Sequence, residues 1–161
     1  MSSRLSKSPA DELFMEEALR EARRAQAWGE VPVGAVIVRD GQVIGRGANR
    51  NLSDSDPTAH AEVVALREAA RGIGNHRLEG CEMFVTLEPC AMCAGAMIHA
   101  RLRRLVYGAA DPKAGAVRSV LKVLNHPQLN HKMKVKSGVL AGRCGELLRR
   151  FFQERRPGKT A

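Results

Sequence analysis

Two short segments, His60-Ala61-Glu62 and Pro89-Cys90-Ala91-Met92-Cys93, constrain the fold of this chain more than anything else in it. One imidazole and two thiolates are the donor set of a three-ligand zinc site, which keeps its fourth position open for water. Thiolates are soft donors that suit zinc without a redox partner. The fold must therefore bring His60 against Cys90 and Cys93, although thirty positions separate His60 from Cys90. The two-residue gap lets both cysteines face one metal from a single helical turn, and Pro89 marks a helix start. Cys90 then sits near a helix N-terminus, whose partial positive charge favours thiolate over thiol. The other segment reads the same way. Asp56 is expected as the N-cap, with Pro57 in the first turn of a helix over Thr58 to Arg71 that carries His60 and Glu62. Glu62 lies two positions from His60 and points elsewhere around that helix. It is expected beside the open coordination position, not on the metal.

Taken alone, C-x-x-C fits a structural zinc knuckle or a thioredoxin-like redox pair. A structural site would want a fourth ligand, and the candidates Cys81 and Cys144 lack a paired spacing. They are expected as buried, reduced cysteines. A redox pair usually has no matched H-x-E upstream. Together, H-x-E and P-C-x-x-C form the signature of zinc nucleobase deaminases, with the unligated Glu as proton shuttle. His76, His99, His126 and His131 lack ligand spacing to the cysteines. Gly45-Arg46-Gly47 lacks the third glycine of a dinucleotide fingerprint, so no nucleotide cofactor is expected.

Apolar spacing predicts helices over Asp11 to Trp28, Cys90 to Ala100 and Cys144 to Arg155, and another over Val117 to Leu124. Strands are expected at Val31 to Val38, Gln42 to Asn49, Met83 to Thr86, Arg104 to Tyr107 and Lys134 to Leu140, with Asp40-Gly41 as a hairpin turn. The order is that of a mixed sheet with helices on both faces. The length of 161 residues predicts one domain, with flexible tails at 1–10 and 157–161. The polar N-terminus has no apolar signal core, and no stretch approaches the roughly 20 apolar residues of a membrane span. A cytoplasmic protein with no membrane partner is expected.

Charge divides the chain. Residues 1–100 hold 11 Lys+Arg and 14 Asp+Glu, a net of −3, whereas residues 101–161 hold 15 and 3, a net of +12. A basic half of this kind points to a polyanion, nucleic acid first.

The residues also resemble a known family, the bacterial tRNA-specific adenosine deaminases. The likeness runs from about Asp11 to Arg156. It rests on Val31-Pro32-Val33-Gly34-Ala35-Val36, on Asp56-Pro57-Thr58-Ala59-His60-Ala61-Glu62 and on Val85-Thr86-Leu87-Glu88-Pro89-Cys90-Ala91-Met92-Cys93-Ala94-Gly95-Ala96. Asp111-Pro112-Lys113-Ala114-Gly115-Ala116 and Phe151-Phe152 extend it. The zinc motifs alone specify only the superfamily; the flanking residues are more specific. The resemblance implies a cytidine-deaminase-like three-layer α/β/α fold with a five-stranded mixed sheet. It implies a homodimer with one zinc ion per subunit, acting on the wobble adenosine of a tRNA anticodon loop. Glu62 would be catalytic and His60, Cys90 and Cys93 the metal ligands. Asn49, Ala61 and Asp111 would bind substrate. Rings and cations of the terminal helix, Phe151 and Arg155 among them, are candidates for RNA contact. Two other readings share some of these residues: a deaminase of free guanine or cytosine, and a non-catalytic zinc module that binds RNA.

Overall fold

The computed structural model describes residues 8–155. Its elements are α1 (Pro9–Ala27), β1 (Gly34–Arg39), β2 (Gln42–Ala48), α2 (Ala61–Ile73), β3 (Glu82–Leu87), α3 (Ala91–Ala100), β4 (Arg104–Ala109), β5 (Lys134–Lys136) and α4 (Ala141–Glu154). The strands form one sheet in the order β2-β1-β3-β4-β5. β1 runs antiparallel to both β2 and β3, and β3, β4 and β5 run parallel to one another. Asp40 and Gly41 close the β1–β2 hairpin with φ of 50° and 75°. Two successive left-handed residues match the twist of the flanking strands.

β1 divides its side chains between two cores, as the two-residue period of a strand requires. Ala35 and Ile37 join a core with Ala61, Ala65 and Ala69 of α2 and Met97 of α3. Val36 and Val38 join Met15, Ala18 and Leu19 of α1 and Cys144 of α4 on the other face. The sheet is thus covered on both sides, α2 and α3 on one and α1 and α4 on the other. Glycines set the closeness. A Cβ at Gly47 would stand 2.1 Å from the Ala61 carbonyl oxygen, and one at Gly34 would stand 2.1 Å from that of Ala18. Gly45 and Gly47, which carry no nucleotide fingerprint, are therefore the seat on which α2 rests.

Four sequence expectations are corrected. α1 begins at Pro9 with Ser8 as its cap, so residues 8–10 are not tail; residues 1–7 and 157–161 lie outside the described residues. α2 begins at Ala61, not Thr58. Asp56 caps a turn of its own, accepting from Thr58 N at 2.8 Å and Thr58 Oγ1 at 2.7 Å. Val117 to Leu124 is irregular, because the N–H groups of Val117, Arg118 and Ser119 go to the Glu88 carboxylate. The last strand spans three residues only, and the chain then turns through left-handed Gly138 and Leu140.

Candidate active site

Both metal-binding segments meet at helix N-termini. His60 is the N-cap of α2 and Cys90 the N-cap of α3, each in extended backbone and neither spending its side chain on a cap bond. Their side chains are free to converge. His60 Nδ1 lies 3.5 Å from Cys90 Sγ and 3.4 Å from Cys93 Sγ. All three donor atoms fall within 4.8 Å of one another, the one such group among the described residues. Tetrahedral zinc with ordinary Zn–N and Zn–S bonds of about 2.0 and 2.3 Å needs N-to-S edges of about 3.5 Å. The donor set and its spacing fit zinc. Hydrogen bonds from Cys93 and His60 hold the Cys90 thiol down at about 3. Cys93 moves upward, through its bond to Cys90 and its burial. Cys81 and Cys144 are buried and unbridged, and burial pushes the Cys144 thiol up to about 12.

A cavity of ≈ 780 Å³ opens over this group, lined by His60, Cys90, Glu62, Asn49 and Asp111 among others. Glu62 lies one residue inside α2, is 4% exposed, and is not one of the three metal donors. Burial raises its carboxyl above the usual range. A carboxyl so placed holds a proton more readily than a solvated one and can pass it on.

The walls are built by polar side chains with identifiable tasks. Asn49 Oδ1 accepts the Ala61 N–H at 2.8 Å. It thereby satisfies one of the four orphan N–H donors at the start of α2. The N–H of Ala61 is consumed in this bond, and Ala61 is fully buried. Asp111 Oδ1 accepts from Lys113 N at 3.0 Å and Ala114 N at 3.2 Å, shaping the loop after β4.

Sequence reading gave no role to Glu88 or Glu30. Glu88, 2% exposed, accepts from Asp111 N, Val117 N, Arg118 N, Ser119 N and Ser119 Oγ. Burial alone would raise its carboxyl, but these donors outweigh it and hold it at about 2. Gly115 leaves the room: a Cβ there would stand 2.5 Å from Glu88 Oε1. Glu30, also 2% exposed, accepts from Leu52 N and from the N–H and hydroxyl of Ser53. The signal was the lone acid in each apolar surrounding.

The terminal helix is arranged differently from the expectation. Phe151 is core, 4% exposed, with the Arg155 guanidinium 4.0 Å from its ring centroid. Phe152 is 52% exposed and lines the cavity, together with Arg149 and Lys113. Arg156 lies outside the described residues. A second cavity of ≈ 670 Å³, lined by Arg101, Arg103, Lys132 and Lys134, opens at the other end of β3 and β4 and holds none of the metal donors.

Residues 8–109 match the family model of the cytidine and deoxycytidylate deaminase zinc-binding region. The chain is 50% identical over 154 residues to a tRNA-specific adenosine deaminase of Haemophilus influenzae, covering 95% of this chain and 89% of that one. It superimposes with a TM-score of 0.82, at 49% identity, on a structure from work on A-to-I editing by tRNA:A34 deaminases at the wobble position of transfer RNA; the match covers 84% of this chain and 99% of that one. A guanine deaminase from Nitrosomonas europaea is more distant, at 27% identity and a TM-score of 0.75, covering 89% of this chain and 84% of that one. The paired metal motifs, the sheet that brings them together and these matches place the chain in the cytidine and deoxycytidylate deaminase family.

Proposed function

We propose that this chain is a zinc-dependent hydrolase that converts adenosine to inosine at the wobble position of a tRNA anticodon. One observation carries the chemistry: His60, Cys90 and Cys93 meet in a cavity that also holds the buried, unligated Glu62. Zinc bound there supplies a water activated near neutral pH. The rest falls to the chain's own groups. Glu62 would accept one proton from that water and deliver it to adenine N1, and then pass the remaining hydroxyl proton to the leaving amine. C6 gains oxygen and the C6–N bond breaks, so ammonia departs and hypoxanthine remains on the ribose. Asn49 lines the cavity with its Oδ1 already bonded, which leaves its amide nitrogen to meet the base. Asp111, on the cavity wall with its N–H bonded to Glu88, is the residue assigned to a ribose hydroxyl.

The substrate reading draws on the relatives and on the cavity rim. Lys113, Arg149 and exposed Phe152 offer cations and a ring to a splayed loop nucleotide. Such an enzyme acts where tRNA is, so a cytoplasmic location goes with the reading; among the described residues no helix is long and apolar enough to cross a membrane. A homodimer of one deaminase domain per subunit is supported by exposed Met92, Val120 and Leu121. They lie on neighbouring segments joined by the bond from Ala116 N to Pro89 O.

The test is ammonia release and inosine formation by zinc-loaded protein on an anticodon stem-loop with adenosine at the wobble position, with free guanine and cytosine in parallel. Inosine on the RNA alone is expected. Turnover of a free base with intact RNA would move the chain to the free-base branch.

A further inference from the structure

α1 ends at Trp28, the one tryptophan in the sequence, and 41% of it is exposed. Two guanidinium groups lie against its ring, that of Arg50 at 4.7 Å from the centroid and that of Arg24 at 5.2 Å. Each is held in place by a carboxylate. Asp54 accepts from Arg50 Nε at 3.0 and 3.1 Å, and Glu21 accepts from Arg24 at 3.0 Å. Buried Glu30 fastens the loop that carries Arg50 by its bonds to Leu52 and Ser53. The cluster offers flat surfaces in a fixed arrangement, and its cations are already answered by acids.

Its position matters as much as its composition. Arg50 lies between Asn49 and Asn51, both of which line the catalytic cavity. On the other side, Arg155 reaches the Gly29 carbonyl at 3.4 Å, one turn beyond Phe152 at the cavity mouth. The stack is therefore tied to the cavity wall through the chain neighbours of Arg50 and through the bond from Arg155 to Gly29. A base that enters the cavity leaves its neighbour in the strand without a stacking partner. Aromatic rings and arginine planes are the usual replacement in proteins that read unpaired RNA.

We propose that the Trp28–Arg50 ledge receives the unpaired nucleotide next to the target adenosine. This rests on the RNA reading given above and adds the surface that distinguishes a loop from a free nucleoside.

The lone tryptophan makes the test direct. Native zinc-loaded protein is titrated with a product stem-loop bearing inosine at the wobble position, so that no turnover intervenes. Saturable quenching of Trp28 emission is expected, with no change on adding free adenosine. Trp28→Leu is then compared on the adenosine stem-loop. KM should rise about tenfold, in the range of one lost stacked base. Its kcat should stay within about twofold, and the dependence of affinity on salt should keep its slope, because stacking releases no counterions. Unchanged emission while filter binding reports saturation would overturn the ledge, and so would an unchanged KM in Trp28→Leu. A shallower salt slope in that variant would replace stacking with a phosphate contact and overturn it as well. Absence of inosine from every RNA offered to the native protein would instead sink the RNA reading, and the ledge with it.

Discussion

Gly47→Ala adds one methyl group to the strand on which α2 rests, and the structure sets the size of its effect. The new Cβ would stand 2.1 Å from the Ala61 carbonyl oxygen and 2.6 Å from Ala65 N. Carbon contacts of this kind are comfortable at about 3.5 Å. Both obstructing atoms are helix backbone, so no side-chain rotation relieves the overlap. The first turn of α2 must retreat by about 1 Å or more. That turn carries the Ala61 N–H bound to Asn49, and it lies between His60 and Glu62. Overpacking costs about 1–3 kcal/mol, which for a chain of this length lowers Tm by roughly 3–10 °C. A misplacement of about 1 Å at reacting groups costs on the order of a hundredfold in rate. Melting by circular dichroism, zinc by mass spectrometry and kcat/KM on an anticodon stem-loop give three readouts. Gly72→Ala is the control on the same helix: nothing lies within 4 Å of its added Cβ. It should gain about 0.5–1 kcal/mol from reduced backbone freedom in the unfolded chain and keep wild-type activity. A Gly47→Ala protein with native Tm, full zinc and native kcat/KM would refute the seating of α2 described here.

Other perturbations separate the parts of the site. Glu62→Ala should retain zinc while turnover falls by at least the 10²–10⁴-fold expected of a lost proton-transfer group; equal loss of zinc would count against the shuttle. Glu88→Gln leaves one acceptor oxygen for five donors, at about 1–3 kcal/mol for those stranded. Its KM for RNA should rise as the 111–119 wall loosens, with zinc content unchanged, and a native KM would detach Glu88 from the wall. Asp11 gives the pH dependence. Burial pushes its carboxyl up, but hydrogen bonds and charge from Arg104 and Lys136 outweigh this and leave it below the ordinary value. A depressed carboxyl contributes stability that is present above the unfolded pKa of about 3.9 and is lost as pH falls through the folded one. Asp11→Asn should therefore melt lower than wild type at pH 7, by about 1–3 kcal/mol. The gap should close below about pH 4; a gap that is constant down to pH 2 would contradict the linkage.

The metal donors were legible because their spacing is a property of the chain itself. C-x-x-C after a proline turns both sulfurs one way from a single turn, whatever the fold around it. The hairpin at Asp40-Gly41 was legible for the same local reason. Reading failed where a distant group decided the outcome. Val117, Val120, Leu121 and Leu124 have the spacing of a helical face, yet the segment is a loop. Its first N–H groups have a stronger acceptor in Glu88, some thirty positions earlier. Phe151 and Phe152 show a different failure. Neighbours on a helix point about 100° apart, so one ring must face inward. The interval Cys144, Leu148, Phe151 continues the buried face and selects Phe151 for it, which leaves Phe152 at the cavity.

These distant decisions have a common origin in the demands of the metal. Placing His60 and Cys90 at helix N-caps frees their side chains as ligands, but each then withholds the bond that an N-cap ordinarily gives its helix. In α2 a different first-turn donor, the Ala61 N–H, is met by Asn49 on the neighbouring segment, so a residue that lines the cavity also holds the metal-bearing helix in place. Beyond β4 the chain must double back to wall the cavity without a regular element to absorb its N–H groups. Glu88, two residues ahead of the first cysteine, gathers them. The acids and amides around the cavity are thus required by the backbone before any substrate arrives, and substitutions at Asn49 or Glu88 should move structure and affinity together. Trp28 differs in this respect: among the described residues no backbone group is bonded to its ring, so a change there should alter RNA affinity with the zinc site intact.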